Sequence, residues 1–279
     1  MMQSKLSPRK LSQIILWTFL FLLLIFMTIP IFWAVLGSFK TTFEIVNHPF
    51  SLPSSWSFDN LIEAWQVGNF QTYFLNSAFI TTLGMIIVFL VACPAGYAFA
   101  HMRFHGNNLL FYLILLGLAL PVQAIIIPVF FQLRQMGLIN TLWGVILVSV
   151  ALALPFSIFL MRNTFRDIPK ELKESAFMDG ASEWRTYMQV MLPLAKPGVV
   201  ALMVFTFMNI WNDLLLPLVL LVTNDKFTIP LGLMSFQGET GTEYGLIFGG
   251  TIISMIPSII VYLIFQRHFI EGMAAGSNK

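Results

Sequence analysis

The stretch Ile168-Pro169-Lys170-Glu171-Leu172-Lys173-Glu174-Ser175-Ala176-Phe177-Met178-Asp179-Gly180-Ala181-Ser182, running on to Leu192-Pro193, decides how the rest of the chain is read. It is a polar, charged interval between apolar runs, and its residues spell out a helix, a turn and a second helix. Pro169 suits the first turn of a helix, where a missing N–H costs little. Glu171 and Glu174 then sit near the positive end of that helix dipole. Gly180 is a natural stop, because a left-handed residue closes a helix best without a Cβ. Ser182 can cap the second helix. There Trp184, Tyr187, Met188 and Met191 fall at i, i+3, i+4 and i+7 and predict one apolar face. Pro193 and Pro197 are expected to end it.

Working outward, the flanking sequence is too apolar for a soluble domain. Of 279 residues, 57% are hydrophobic and only 10% charged, which is far from soluble composition. Several charge-free runs approach twenty residues, the length that spans a bilayer. The expected class is an all-α membrane protein with six transmembrane helices, approximately 14–36, 73–100, 109–131, 142–161, 198–222 and 246–265, forming one transmembrane domain over 1–279. The first run follows Lys5, Arg9 and Lys10 as a signal peptide would, but it is too long and no small-residue cleavage site follows, so it reads as an uncleaved span. Of the 15 Lys and Arg, only Lys40, Arg134 and Lys226 fall in segments that lie outside if both termini are cytoplasmic. That asymmetry obeys the positive-inside rule and places the helical hairpin, 162–197, in the cytoplasm.

Glu174-Ser175-Ala176, three further residues, Gly180, nine residues, then Val190-Met191-Leu192-Pro193 resembles the EAA loop of ABC-importer permeases. The family pattern is Glu-Ala-Ala, three residues, Gly, nine residues, Ile, any residue, Leu-Pro. Ser175 and Val190 are the departures, both small. The resemblance implies that this loop docks into a cleft on a separate ATP-hydrolysing subunit. Glu174 would make a charge-assisted hydrogen bond there, Leu172, Phe177 and Met178 would fill an apolar groove, and Ala176 and Gly180 would permit close approach. Ser175, Asp179, Ala181, Leu192 and Pro193 complete the motif. The other reading of such a hairpin is an amphipathic element lying on lipid. The Gly-turn spacing and Leu-Pro exit, between two spans, favour docking. The tail Phe269-Ile270-Glu271-Gly272-Met273-Ala274-Ala275-Gly276 is similar to Phe-x-x-Gly-Leu-Thr-Ala-Gly of the carbohydrate-uptake branch, with Met273 and Ala274 replacing Leu and Thr. The resemblance further implies a homologous second permease subunit, two ATP-binding subunits and an external substrate-binding protein.

Polar residues within the spans are the candidates for a solute path. Asn209, Trp211, Asn212 and Asp213 cluster in the fifth span. An ionisable residue there usually faces the bundle interior or water. Asn and Trp together suit a sugar, the amide bonding hydroxyls and the ring stacking on C–H surface. The same residues could instead brace adjacent helices. Gln123, in the third span, either lines a pore or joins helices. The second span is expected to be interrupted at Pro94 and Gly96. His101 and His105 are expected as solvated interface residues, and no metal site is assigned, since three or four ligands are needed. Cys93 reads as a small packed apolar side chain. Phe58 to Trp65 is expected as a short surface helix, and the long loop from Thr223 to Gly245 as a binding segment, placed by the resemblance against the external protein.

No Gly-x-x-x-x-Gly-Lys-Ser/Thr run is present to cradle phosphates, and no His-Glu-x-x-His or nucleophile elbow. A transport subunit without enzymatic chemistry is therefore expected, with no cofactor of its own, ATP and Mg belonging to the partners, and no nucleic-acid partner. The leading expectation is an ATP-driven importer of a sugar or oligosaccharide. The alternatives are a polyol or glycerol phosphate as solute, and an ion-coupled secondary transporter, which would show repeated halves around midplane charges.

Overall fold

The computed structural model describes residues 8–66, 68–238 and 241–275. Lys5, Gly276 and Lys279 lie outside them. The chain is almost wholly helical: α1 Pro8–Gly37, α2 Thr42–Asn47, α3 Asp59–Gln66, α4 Phe70–His101, α5 Asn107–Leu116, α6 Val122–Gln135, α7 Leu142–Arg166, α8 Lys170–Met178, α9 Glu183–Thr186, α10 Leu192–Leu194, α11 Lys196–Trp211, α12 Leu215–Leu220, α13 Ile229–Gly232 and α14 Tyr244–Ala275. Two short strands, β1 Gln237–Gly238 and β2 Gly241–Thr242, pair antiparallel. Among the described residues, four helices are long and apolar enough to cross a membrane by themselves: Ser12–Gly37, Phe70–His101, Leu142–Arg166 and Tyr244–Gln266. Two bent pairs, Asn107–Ala119 with Val122–Gln135 (100°) and Glu183–Leu194 with Lys196–Trp211 (76°), raise the number to six if each counts as one crossing.

Proline explains the first bend. Leu120 is extended (φ −87°, ψ 111°), as the residue before Pro121 must be to avoid its ring. Pro128 sits inside α6 without breaking it. Contrary to the sequence expectation, Pro94 and Gly96 do not interrupt α4, which runs unbroken to His101. Gly96 instead serves helix packing. A Cβ there would stand 2.5 Å from the Met161 Cβ and 2.9 Å from the Arg162 backbone nitrogen, so its absence lets α4 and α7 approach closely.

The chain divides into two compact units. The first holds residues up to 68 and 236–253. In it Asn60 donates from Nδ2 to the carbonyls of Ser38 and Lys40, both at 2.9 Å. The buried Lys40 ammonium donates to the carbonyls of His48 and Pro49, both at 3.1 Å. Thr41 and Glu44 form a capping box at the start of α2, satisfying two orphan donors reciprocally. The segment 59–66 is a helix, as its sequence predicts.

The second unit holds residues 69–235 and 254 onward. Its core lies where α4, α7 and α11 pack together, around Val88, Cys93, Ile146, Met161, Phe165 and Leu202. Cys93 is fully buried there, in the packed role its sequence predicts. Part of the expected open loop is bolted to this unit. Asn140, left-handed at φ 58°, accepts on Oδ1 from the amides of Val222 and Thr223, at 3.0 and 3.1 Å. Asn76 donates to the carbonyls of Asp225 and Phe227 at 3.0 Å, Tyr73 pairs with Asn224, and Ser77 accepts from the Ile229 amide at 2.9 Å.

Candidate functional site

Two features of the second unit carry the sequence-predicted site residues: the helical hairpin after α7 and a cleft between α7 and α11. In the hairpin, α8 starts after Pro169 and ends in a Gly-closed cap. Gly180 has φ +80°, its amide donates to Phe177 O at 3.0 Å, and the Ala181 amide donates to Ala176 O at 3.0 Å. That pair of bonds satisfies the last carbonyls of the helix and needs a left-handed residue at its pivot. Ser182 then caps α9, accepting from the Arg185 amide at 3.3 Å.

The second arm departs from expectation. It is a π-helical turn over Tyr187–Met191, not a regular helix, and its apolar face is split. Tyr187 and Met191 are buried, whereas Trp184 and Met188 are 65% and 45% exposed. Pro193 supplies the reason. It has no N–H for the carbonyl of Gln189, and its ring would collide with that carbonyl. The widened turn moves the carbonyl away, with Leu192 N–H reaching back to Tyr187 O; such one-turn bulges are a recognised way of absorbing a mismatch. The break expected at Pro193 comes after Leu194, and Pro197 lies in the first turn of α11.

Ala176 is buried, while Leu172, Phe177 and Met178 are 41%, 39% and 88% exposed. With Trp184 and Met188 they leave the hairpin an outward apolar surface. Glu174 is exposed and has no ion-pair partner among the described residues. Ser175 donates to Glu171 O at 2.8 Å, and the Asp179 amide to Ser175 O at 3.0 Å. Leu192 is half-buried and Pro193 exposed.

A polar latch ties the hairpin to α4 and was missed by sequence reasoning. Lys173 Nζ donates to Glu183 Oε1 at 2.7 Å and to His101 O at 3.1 Å. Tyr97 Oη donates to the same Glu183 oxygen at 2.7 Å. His101, expected as a solvated residue, is half-buried, with Nε2 2.8 Å from Phe165 O. The rings of Tyr97, Phe165 and Tyr187 pack around the latch. Lys173 and Glu183 lie ten residues apart on opposite arms of the turn, a spacing with no periodic signature.

The cleft has a volume of about 250 Å³ and is lined by Ser149, Phe156, Phe205, Thr206, Asn209 and Asp213 together with aliphatic side chains. Of the expected polar cluster it gathers two members. Asn209 and Asp213 face it, Asp213 also accepting on Oδ1 from the amides of Leu215 and Leu216, at 3.0 and 3.4 Å. This carboxylate thus caps α12 where α11 ends. Trp211 does not face the cleft. It is buried, donates to Ser254 O at 3.1 Å and stacks on Phe207. Asn212 turns back on Met208 O at 2.9 Å. Gln123 is exposed in the first turn of α6, beside Val122, which does line the cleft. The aromatic faces of the cleft are Phe156 and Phe205, stacked with centroids 4.2 Å apart.

Residues 92–274, a stretch that contains both hairpin and cleft, match the family of binding-protein-dependent transport system inner membrane components. The chain belongs to this family of ABC-importer permeases. The permease is 38% identical over 268 residues to the diacetylchitobiose uptake system permease protein NgcG of Streptomyces coelicolor, covering 95% of this chain and 87% of that one. It is 33% identical over 278 residues to the arabinooligosaccharides transport system permease protein AraQ of Halalkalibacterium halodurans, covering 97% and 99%. In fold it matches a chain of a bacterial ABC transporter involved in the import of the acidic polysaccharide alginate, with a TM-score of 0.83 at 24% identity over 96% of this chain and 100% of that one. The permease is therefore a multi-pass membrane transport component and not an enzyme. Family membership also displaces the ion-coupled reading.

Proposed function

We propose that this permease, with a homologous second subunit, forms the path by which an ATP-driven importer moves a sugar or oligosaccharide into the cytoplasm. The observation that carries the substrate class is the set of relatives along the whole chain, whose names specify diacetylchitobiose and arabinooligosaccharides. Six spans with both termini cytoplasmic place the hairpin of α8 to α10 on the inner face, and the whole chain acts as one transmembrane domain. Two ATP-binding subunits supply ATP and Mg, this chain holding no cofactor, and an external binding protein delivers the saccharide.

In this reading the exposed Leu172, Phe177 and Met178 enter an apolar groove of the ATP-binding subunit, and the exposed Glu174 takes a charged donor there. Closure of the ATPases shifts the hairpin, and the hairpin moves α7 and α11 between outward and inward access. The step requires that the ATP-bound and ATP-free partners hold the two hairpin positions with different free energies. The latch of Lys173, Glu183 and Tyr97 supports it, because it lets force applied at α8 reach α4. The test is uptake by cells carrying Gly180→Trp or Glu174→Lys. Both variants are expected in the membrane at parental level, with saccharide uptake abolished and the ATP-binding subunits no longer co-purifying. Parental uptake in both would overturn docking through this loop.

A further inference from the structure

Where the turn after α4 meets the last turns of α7, the chain forms an open pocket of about 540 Å³ lined by Arg103, His105, Asn107, Asn108 and Arg162 together with apolar side chains. No Asp or Glu lines it among the described residues, and neither arginine has a carboxylate partner among them. Arg162 is half-buried and held in one orientation. Its Nε donates to Phe99 O at 3.4 Å, and its guanidinium lies 3.9 Å over the Phe111 ring. Both Nη groups are left without an acceptor among the described residues. A charge drawn partly out of water is costly unless it is paired, and a guanidinium fork fits the oxygens of a phosphate. The first turn of α5 borders the same pocket through Asn107 and Asn108. Its N-cap, Gly106, has no side chain to cap it, and the amides of Asn108 and Leu109 find no acceptor among the described residues. Free amides at the start of a helix add to the attraction for an anion.

An apolar stripe leads away from the pocket along α5. Leu109, Tyr112, Leu113 and Leu116 fall at i, i+3, i+4 and i+7 and so share one face, and each is more than half exposed. The pocket adjoins the end of α4 at which His101 O accepts from Lys173, so it lies at the same end as the hairpin. We infer that it binds the phosphate of an anionic phospholipid of the inner leaflet, Arg103 and Arg162 holding the headgroup while an acyl chain lies along α5. A free phosphate ion would need only the basic pocket. The exposed apolar stripe that continues from it calls for a ligand with a tail. Basic pockets between membrane helices on the cytoplasmic side take lipid headgroups in this way. Such a lipid is bound whichever solute the permease carries.

The test uses the intact importer, purified with its co-assembled subunits and stripped of lipid in detergent. Bound lipid is counted by native mass spectrometry while palmitoyl-oleoyl phosphatidylglycerol or the matching phosphatidylcholine is added. Phosphatidylglycerol is expected to bind saturably, with a half-saturating concentration at least about fivefold below that of phosphatidylcholine. Arg103→Gln and Arg162→Gln should each raise that concentration about fivefold, the worth of one arginine near an anionic headgroup. Arg134→Gln, exposed in the last turn of α6 and outside the pocket, should leave it at the parental value. If Arg162→Gln fails to assemble, Arg103→Gln, in the exposed turn, decides alone. Inorganic phosphate in large excess should displace no lipid. Equal binding of the two lipids, parental binding in Arg103→Gln, an equal loss in Arg134→Gln, or displacement by inorganic phosphate would each overturn the lipid site. Lipid binding needs no saccharide, so this site can fail while saccharide uptake stands, and the reverse.

Discussion

Lys173 shows how much a single side chain contributes when it joins two arms of a hairpin. Its side chain is 13% exposed and its ammonium reaches the carboxylate of Glu183, a side chain 38% exposed, while also sitting 5.3 Å from the Tyr97 and Phe177 ring centres. Water screens the outer side of the pair, so its worth falls below that of a buried charged hydrogen bond. Lys173→Met is expected to cost about 1 kcal/mol of stability and to open the segment 167–182 to protease before the rest of the chain. Limited proteolysis and thermal unfolding check both. Equal protease resistance in parent and variant would show that the aromatic packing of Tyr97, Phe165 and Tyr187 holds the hairpin unaided. In the sequence Lys173 is one of two lysines in a charged helix, and nothing there singles it out.

At the scale of an element, the start of α2 offers a pH-dependent case. Hydrogen bonds from Ser54, chiefly, and from Thr41 hold the Glu44 carboxyl down to about 2. A depressed carboxyl contributes stability that is complete above its ordinary value and is lost as pH falls towards the lowered one. The gap in thermal midpoint between the parent and Glu44→Gln is therefore expected to be constant at neutral pH, to narrow below about pH 4.5 and to close near pH 2. A gap independent of pH across that window would show that the amide replaces the carboxylate fully in the cap. The capping box could be read in advance from Thr41-x-x-Glu44, a spacing that satisfies two donors within one turn. The π-helical turn at Tyr187–Met191 could not. Its apolar residues fit a regular helix, and only the demand of Pro193 for a displaced Gln189 carbonyl makes the wider turn preferable.

At the scale of the whole molecule, the distribution of Lys and Arg orients the proposed six-span arrangement. Single thiols introduced as Lys170→Cys and Lys226→Cys report opposite faces if both termini are cytoplasmic. An impermeant maleimide applied to intact cells should label the Lys226→Cys variant alone, and the Lys170→Cys variant, at an exposed position, only after the membrane is opened. Labelling of the hairpin thiol alone from outside would reverse the orientation, labelling of both would put the two loops on one face, and either result removes the hairpin from its ATP-binding partners.

The sequence alone determined the features that depend on local chemistry. Apolar runs of membrane-spanning length, the Gly180 cap, the Ser182 cap and the Glu174 to Pro193 spacing are each set by bonds within a few residues or by transfer of one segment out of water. Those are the terms that place the permease in its family. The tertiary structure decided which polar side chains meet. Asn209, Trp211, Asn212 and Asp213 are nearly adjacent in sequence, yet Trp211 packs inward against Ser254 while Asn209 and Asp213 face a cleft completed by Ser149 and Phe156 of another helix. Lys173 meets Tyr97 across a separation that no periodicity encodes. Such encounters depend on how close α4, α7 and α11 can approach, and that distance is fixed by small residues such as Gly96, whose effect exists only once the helices are packed.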